Sequence, residues 1–410
     1  MNIDGCEKLS SAVRNGINKL LEEICTKAKI SKELVLELII VGNPIMHHLL
    51  LGIDPTELGQ APFALAISQP VSFYSYQLNL NLNKNTQVSI LPCIAGHVGA
   101  DAAAVVLSET PNASKDVVLI VDVGTNAEIL LRNKDQLFAC SSPTGPAFEG
   151  AQISCGQRAA PGAIEKVRIN LKSREVIFKV IGSKYWSNHK KFSASLGKLS
   201  ITGICGSGII EAVAEMRLAG VLDATGLIGS KDQTGSSRCL KTGRTNSFLL
   251  YKSSDGESDI LVSNADVRAI QLAKAALFSG AKILMEEMGV AKVDRIILAG
   301  AFGSHISPRH AMILGMIPDC DLKKVTSAGN AAGTGARIAL HNFRARKKIA
   351  KIVSKIHKIE TAVAARFQTH FVAASNIPNS NESFSELRKT VNLPSVNFNQ
   401  RDKKRSRRGN

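Results

Sequence analysis

The sequence predicts an α/β protein, and three observations carry that prediction. Short apolar runs that contain β-branched residues, such as Val117–Val121 and Arg295–Ala299, are typical of buried strands. Segments with apolar residues at helical spacing, such as residues 7–25 and 264–288, alternate with these runs. The chain has 410 residues, 44% of them hydrophobic and 21% charged, which suits two or three globular domains with full cores.

The N-terminal part of the chain mixes helices and strands. Residues 7–25 predict an amphipathic helix, and Leu38–Val41 predicts a buried strand that ends at a Gly-Asn-Pro turn. The next predicted elements are a helix, a mostly irregular segment with one strand, and an Ala-rich helix: Ile45–Leu51, residues 56–92 with a strand at Thr86–Leu91, and Ala102–Leu107. The polar break at Pro111–Asp116 is the best candidate for a domain boundary.

The second half begins with a predicted hairpin, Val117–Leu131, and a third strand near Gln136–Ser141 completes a meander. The later elements are loops at 145–150 and 155–162, strands within 164–182, a helix at Ile209–Ala219, an exposed insertion at about 230–258, a helix at Asn264–Met288, a strand at Arg295–Ala299, a helix near 307–314, and a last helix opened by Gly329–Gly335. Polar and basic residues dominate from about residue 376, so we expect disorder there.

Composition excludes several classes of protein. No apolar stretch is long enough to cross a bilayer, and the first residues carry no signal segment, so we expect a cytoplasmic protein without membrane contact. The eight cysteines contain no C-x-x-C pair, so we expect buried thiols rather than disulfides or an iron–sulfur cluster in this chain.

The net charge of +17 is concentrated near the C-terminus, at Arg344–Lys358 and Arg401–Arg408. These basic runs could attract an acidic partner or nucleic acid, or they could be a solvated helix face and a disordered tail. No aromatic residues interleave with the terminal run, so we favour the second interpretation and do not expect nucleic-acid binding.

The hairpin turn carries the most informative polar residues. Asp122 ends the first apolar run, where a carboxylate can bind a hydrated Mg²⁺. Gly124, Thr125 and Asn126 form the turn, whose amides can donate to phosphate oxygens. A tight turn of two strands would explain Gly124 without any ligand.

Similar turns recur at Cys205–Gly208 and Gly300–Gly303, each between a strand and a helix. The start of a helix suits an anion, because its amides and dipole are positive there. No G-x-x-x-x-G-K-[ST] motif occurs, which excludes a P-loop.

In this order the turns resemble those of the actin, sugar-kinase and heat-shock-chaperone ATPase superfamily. The resemblance implies an actin-like, sugar-kinase-like ATPase fold with RNase H-like lobes. Val117–Leu131 would be its phosphate hairpin and Ile296–Gly303 its adenosine motif, with Ala100–Val106 and Ala331–Ala339 as the two connecting helices.

Eight motifs in order are similar to one subfamily, the ATP-dependent reductive activators of corrinoid proteins, over about residues 5–375. The resemblance implies that ATP, with Mg²⁺, drives the return of a partner's cobalt from Co(II) to Co(I). It also implies a corrinoid protein as partner, and a homodimer is possible. The motifs are Val41–Met46, Gly99–Asp101, Val121–Glu128, Gly145–Ala151, Cys205–Ile209, Ile270–Lys274, Leu298–Gly303 and Gly329–Gly333.

The chain departs from that subfamily in two ways. It has no C-x₄-C-x₂-C run, so we expect a separate iron–sulfur electron donor. Only one D-x-G-T turn is present, so we expect a complete second lobe and a partial first lobe. The predicted divisions are a first lobe at 1–112, a second lobe at 113–342, a basic helical segment at 343–375 and a disordered tail at 376–410.

The resemblance also implies roles for individual residues. The catalytic candidates are acids: Asp122, Glu128, Glu149 and Asp101. The nucleotide-binding candidates are Asp122, Gly124, Thr125, Asn126, Gly206, Ser207, Gly208, Gly300, Gly303 and Gly333, with Asp122 also expected to hold Mg²⁺.

Simpler roles remain open for several of these residues. Glu128 could be a partnered structural acid, and Asp101 could be a helix cap. Glu149 and Arg158 could form a surface ion pair, and we expect Phe302 to be a core residue. The pair His47–His48 has no third ligand and is best explained by helix packing and exposure, while His305 and His310 are expected to be unpaired.

Two other functions remain open. The chain could be a small-molecule kinase of the same superfamily, which would need a general base in its cleft. It could also be a non-catalytic nucleotide-binding subunit, an interpretation that the single phosphate hairpin favours.

Overall fold

The computed structural model describes residues 4–110, 115–253 and 258–398. Contacts divide the chain into two compact units. The first comprises residues 1–116, 130–141 and 328–360, and the second comprises 117–129, 142–327 and 361–410. Residues 111–114 of the predicted boundary lie outside the described residues. Among the helices that the structure describes, none is long and apolar enough to cross a membrane.

The first unit contains a small mixed sheet. Strand β3 (Gln87–Ile90) pairs in parallel with β1 (Glu37–Ile40) and antiparallel with β2 (Val71–Tyr74), so the strand order is β1-β3-β2. Leu78, Leu80 and Val88 form a core cluster against which Ile17 packs. The helices and strands before residue 110 are α1 (Gly5–Ala28), β1 (Glu37–Ile40), α2 (Pro44–Leu51), β2 (Val71–Tyr74), β3 (Gln87–Ile90) and α3 (Ala100–Glu109).

The predicted meander starts in the second unit. Its strands are β4 (Val118–Val123), β5 (Ala127–Asn133) and β6 (Gln136–Ser142), and residues 130–141 of β5 and β6 belong to the first unit. The elements that follow are β7 (Ala163–Ile169), β8 (Val176–Val180), α4 (Phe192–Leu196), β9 (Gly203–Ile204), α5 (Gly206–Leu218), α6 (Lys231–Thr234), β10 (Cys239–Thr242), β11 (Thr245–Tyr251), β12 (Ile260–Ser263), α7 (Asn264–Glu287), β13 (Arg295–Ala299), α8 (Gly300–Gly303), α9 (Pro308–Leu314) and β14 (Val325–Gly329).

The remaining elements lie near the C-terminus. They are α10 (Ala331–His341), α11 (Phe343–Val353) and β15 (His357–Lys358) in the first unit, and α12 (Phe367–Ala373) and α13 (Ser385–Arg388) in the second. One six-stranded sheet has the order β14-β13-β4-β5-β6-β15. Val118–Val121 in its central strand β4 are almost fully buried, which explains the continuous apolar run.

Within the first unit, the two predicted connecting helices pack against each other. A Cβ atom on Gly335 of α10 would overlap the carbonyl oxygen of Ala104 in α3. Small residues therefore let the two helix backbones approach closely, as the Ala-rich pattern of α3 predicts.

Two sequence-based predictions differ from the structure. The predicted exposed insertion at 230–258 contains β10 and β11, which form an antiparallel sheet with β12, and Phe248 is fully buried. Predicted disorder from residue 376 is wrong for 376–398, because Ile377, Phe384 and Leu387 are buried. In the first segment the apolar run Phe248–Tyr251 forms part of β11, and its polar flanks led to the wrong prediction. The second segment buries isolated apolar residues, which leave no periodic pattern in the sequence.

Candidate functional site

A cavity of about 430 Å³ in the second unit gathers residues from three predicted motifs. Its volume lies within the range of small-molecule sites. The start of α5 contributes Gly206 and Ser207, and the segment after β13 contributes Phe302 and His305. Glu149 and Arg158 come from the two loops that follow the meander.

The hairpin turn is connected to this cavity through Glu149. The Thr125 hydroxyl donates to a Glu149 carboxylate oxygen over 2.6 Å. The Thr144 side chain stabilises the turn, because its hydroxyl lies 3.0 Å from the Gly124 carbonyl oxygen and 2.9 Å from the Thr125 carbonyl oxygen. Sequence reasoning missed Thr144, which lies outside every quoted motif.

Asp122 lies against the start of the Gly300–Gly303 turn. Strands β4 and β13 are parallel, with Asp122 paired in register with Ala299. Gly300 has φ +86°, a conformation that favours glycine, and a Cβ atom there would overlap the Asp122 carboxylate. The hairpin acid and the predicted adenosine motif are therefore in direct proximity.

Helix α5 presents an N-terminus at the cavity. Its N-cap, Cys205, makes no side-chain capping bond, so the first amides of α5 are not satisfied by a cap. Ser207 instead directs its hydroxyl to the Glu165 carbonyl oxygen over 3.2 Å. A free helix N-terminus beside a cavity is suited to an anion such as a phosphate.

The glycines at this helix start have a packing explanation as well. A Cβ atom on Gly206 would overlap the Phe148 carbonyl oxygen, and one on Gly208 would overlap the Ile164 carbonyl oxygen. Phe302 stacks on buried Phe148 at a ring separation of 6.3 Å. Phe302 is itself only half-buried and lines the cavity, so it is not simply the core residue that the sequence predicts.

Two predicted site residues belong to the first unit. Asp101 accepts the Ala102 amide at the start of α3 over 2.8 Å, and burial raises the pKa of its carboxyl above the usual range. Gly333 donates its amide to the capping side chain of Asn330 over 2.8 Å. Both residues therefore have a role in starting a helix.

The histidines differ from their predicted surroundings. His47 and His48 are both buried rather than exposed, and His48 accepts the Ala66 amide. His310 is paired, with Nε2 2.8 Å from an oxygen of Glu215 on α5. The sequence prediction was wrong here because His310 and Glu215 are 95 residues apart along the chain.

The donor set around the cavity fits a nucleotide with Mg²⁺ better than a metal held by protein alone. In the part of the chain that the structure describes, no three His, Cys, Asp or Glu side chains are grouped to hold a metal. Mg²⁺ in nucleotide sites needs only one or two carboxylates, since phosphates and water supply its other ligands. Asp122, the expected ligand, lies against Gly300 and is not among the residues that line the cavity. Glu128, one strand away on β5, is half-buried and has a partner.

Comparison with known proteins gives matches over nearly the whole chain. Residues 116–388 match the family described as the C-terminal domain of RACo, the ASKHA domain, and residues 1–111 match the RACo middle region. The chain is 31% identical over 378 residues to the corrinoid activation enzyme RamQ of Eubacterium limosum, which covers 90% of this chain and 60% of RamQ.

A second relative and a solved structure agree with these matches. The Co(II) methylated amine-specific corrinoid protein reductase of Methanosarcina barkeri is 30% identical over 263 residues, covering 62% of this chain and 44% of that protein. The solved reductive activator for corrinoid,iron-sulfur protein superposes with a TM-score of 0.78 and 33% identity, over 92% of this chain and 58% of that chain. These matches confirm the predicted actin-like fold, and the chain spans at most 60% of the length of each of these three proteins.

Proposed function

The chain belongs to the RACo family, and from that premise we propose that it is the ATP-driven component of a system that reactivates a corrinoid protein. The relatives named for corrinoid activation and corrinoid-protein reduction support this substrate class. The reaction is a one-electron reduction. A separate iron–sulfur protein is oxidised as the cobalt of the corrinoid partner goes from Co(II) to Co(I).

The observation that carries the proposal is the convergence of three turns at one cavity in the second unit. Thr125 reaches the cavity through Glu149, while Ser207 and Phe302 line it directly. Asp122 lies against Gly300 at the end of the neighbouring strand. A phosphate-binding turn, a helix N-terminus and an aromatic wall are the parts that a nucleotide site requires.

Each part has a chemical role in this proposal. ATP bound with Mg²⁺ supplies the free energy that makes an unfavourable electron transfer proceed. Asp122 holds the metal, and the amides of Gly124–Asn126 and Gly206–Gly208 donate to phosphate oxygens. Glu149 orients the Thr125 hydroxyl and is suited to position a water, and Glu128 supports the second strand of the hairpin. The glycines Gly300 and Gly303 let the adenosine approach the backbone.

Asp101 and Gly333 are proposed to act from the first unit. Asp101 is a carboxyl whose pKa is raised by burial, a property common among catalytic acids. Gly333 fixes the start of α10 through its bond to Asn330. The predicted homodimer and the partial character of the first lobe remain predictions.

An ATPase assay distinguishes this proposal from the two other functions. We expect slow ATP hydrolysis by the chain alone and faster hydrolysis when a Co(II) corrinoid protein and a reduced iron–sulfur donor are added. A phosphorylated sugar or carboxylic acid formed without these partners would instead indicate a kinase. Tight ATP binding without turnover, even with both partners present, would indicate a non-catalytic subunit.

A further inference from the structure

A buried charged cluster lies one layer behind the cavity in the second unit. His310 of α9 is 1% exposed, and Glu211 and Glu215 of α5 are each 3% exposed. His310 Nε2 lies 2.8 Å from Glu215 Oε1, and Nδ1 lies 3.7 Å from Glu211 Oε1. One imidazole ring is therefore placed between two carboxylates on successive turns of the same helix.

The two glutamates are also fixed to strand β7. Glu211 accepts the Val167 amide over 3.0 Å, and Glu215 accepts the Ile169 amide over 3.1 Å. Residues four apart on a helix rise about 6 Å, close to the roughly 6.6 Å between alternate residues of a strand. The carboxylates thus pair with the edge of β7 as a neighbouring strand would, which holds α5 rigidly on the sheet.

Two arginines also face the carboxylates that contact the His310 ring. Arg168 on β7 lies 2.5 Å from Glu211 and 4.0 Å from Glu215, and Arg309 on α9 lies 3.9 Å from Glu215.

The carboxyl of Glu215 responds to these neighbours. Burial alone would raise its pKa, but the His310 hydrogen bond, the Ile169 amide and the charges of His310 and Arg168 together lower it. Glu215 is therefore ionised at neutral pH and accepts a hydrogen bond from the His310 ring.

Both helices that meet at His310 begin at the cavity. Helix α5 starts with Gly206 and Ser207 in the cavity wall, and α9 follows the segment that carries Phe302 and His305. We propose that His310 is a positioning residue for nucleotide binding. It holds α9 against α5 and so sets the distance between the cavity residues of α5 and those that precede α9. This inference rests on the proposed function, because the ligand it concerns is the nucleotide.

The chain contains its own reporter and its own matched control. Trp186, the single tryptophan, lies under the Arg168 guanidinium at 5.7 Å, so its fluorescence reports on the cluster without any nucleotide. His370 on α12 pairs with Glu286 on α7 over 3.0 Å, and neither residue lines the cavity. Variants His310→Gln and His370→Gln each remove an imidazole that pairs with a glutamate.

The test measures the affinity for a fluorescent ATP analogue with Mg²⁺, together with Trp186 fluorescence, on the full chain. We expect His310→Gln to weaken binding of the analogue about tenfold or more and to change the Trp186 emission measured without nucleotide. His370→Gln should retain both the affinity and the emission of the wild-type chain.

Several results would overturn the inference. Equal affinity of His310→Gln and wild type would contradict it, and so would an equal loss in both variants, since that result indicates a general packing role. If His310→Gln does not fold, Glu211→Gln decides, because it changes the carboxylate that faces Nδ1, and wild-type affinity in that variant contradicts the inference. Absence of any analogue binding by the wild-type chain would instead contradict the proposed function itself.

Discussion

Replacing Gly300 by alanine tests the geometry that joins Asp122 to the predicted adenosine turn. The residue has φ +86°, which costs an L-residue roughly 1–2 kcal/mol. The new methyl would overlap the Asp122 carboxylate, which must withdraw by roughly 1 Å to reach ordinary contact. A displacement of about 1 Å in a positioned catalytic group can lower a rate about 100-fold.

We therefore expect Gly300→Ala to lose about 1–3 kcal/mol of unfolding free energy and to lower the ATPase rate about 10- to 100-fold. Gly289→Ala is the matched control, because its φ of +69° strains an alanine in the same way and no atom lies within 4 Å of the added methyl. Urea denaturation and steady-state ATP hydrolysis measure the two effects. If Gly300→Ala and Gly289→Ala had the same ATPase rate, the placement of Asp122 against Gly300 would have no functional meaning.

Three further predictions concern other positions. Asp122→Asn removes the proposed Mg²⁺ ligand, so the affinity for an ATP analogue should fall about tenfold when Mg²⁺ is present and should change little in EDTA. Equal losses of affinity in the two titrations would contradict the metal role. Gly335→Ala should lower the free energy of unfolding by about 1–3 kcal/mol in urea denaturation, because the added methyl would overlap the Ala104 backbone. Gly16→Ala should not lower it, because no atom lies within 4 Å of the methyl added there. Burial lowers the pKa of Lys274 to about 7, so the folded chain binds fewer protons than the unfolded chain up to about pH 10.4. The free energy of unfolding should therefore rise with pH between these two pKa values, by at most about 1.4 kcal/mol per pH unit. Lys274→Met should flatten this pH dependence in urea denaturation. A rise that persists unchanged in Lys274→Met would contradict this assignment.

The sequence predicts the elements that have strong periodicity. The meander, helix α7 and the pair α3 and α10 are present near their expected positions, because each buries a continuous run or a regular stripe of apolar residues. The motif order also locates the Cys205–Gly208 and Gly300–Gly303 turns, both of which contribute residues to one cavity.

What the sequence misses depends on contacts between distant residues. Thr144 supports the hairpin turn through two carbonyl oxygens, and His310 meets Glu215 from another helix. Residues 376–398 are held by single contacts such as the Arg217 guanidinium on the Ile377 and Pro394 carbonyl oxygens. None of these contacts produces a local pattern, so only the folded chain reveals them.

The division into units is a further example. Residues 130–141 and 328–360 join the first unit, although the sequence groups 113–342 as one lobe. No break in composition marks this division.

The most direct test of the proposed function is the appearance of Co(I) in a corrinoid protein. The full chain would be mixed under anaerobic conditions with a Co(II) corrinoid protein and a reduced iron–sulfur donor, and the absorption spectrum followed when ATP and Mg²⁺ are added. We expect Co(I) to form only after ATP addition, and Asp122→Asn to prevent it. Formation of Co(I) at the same rate without ATP, or no Co(I) from the wild-type chain with every component present, would contradict the proposal.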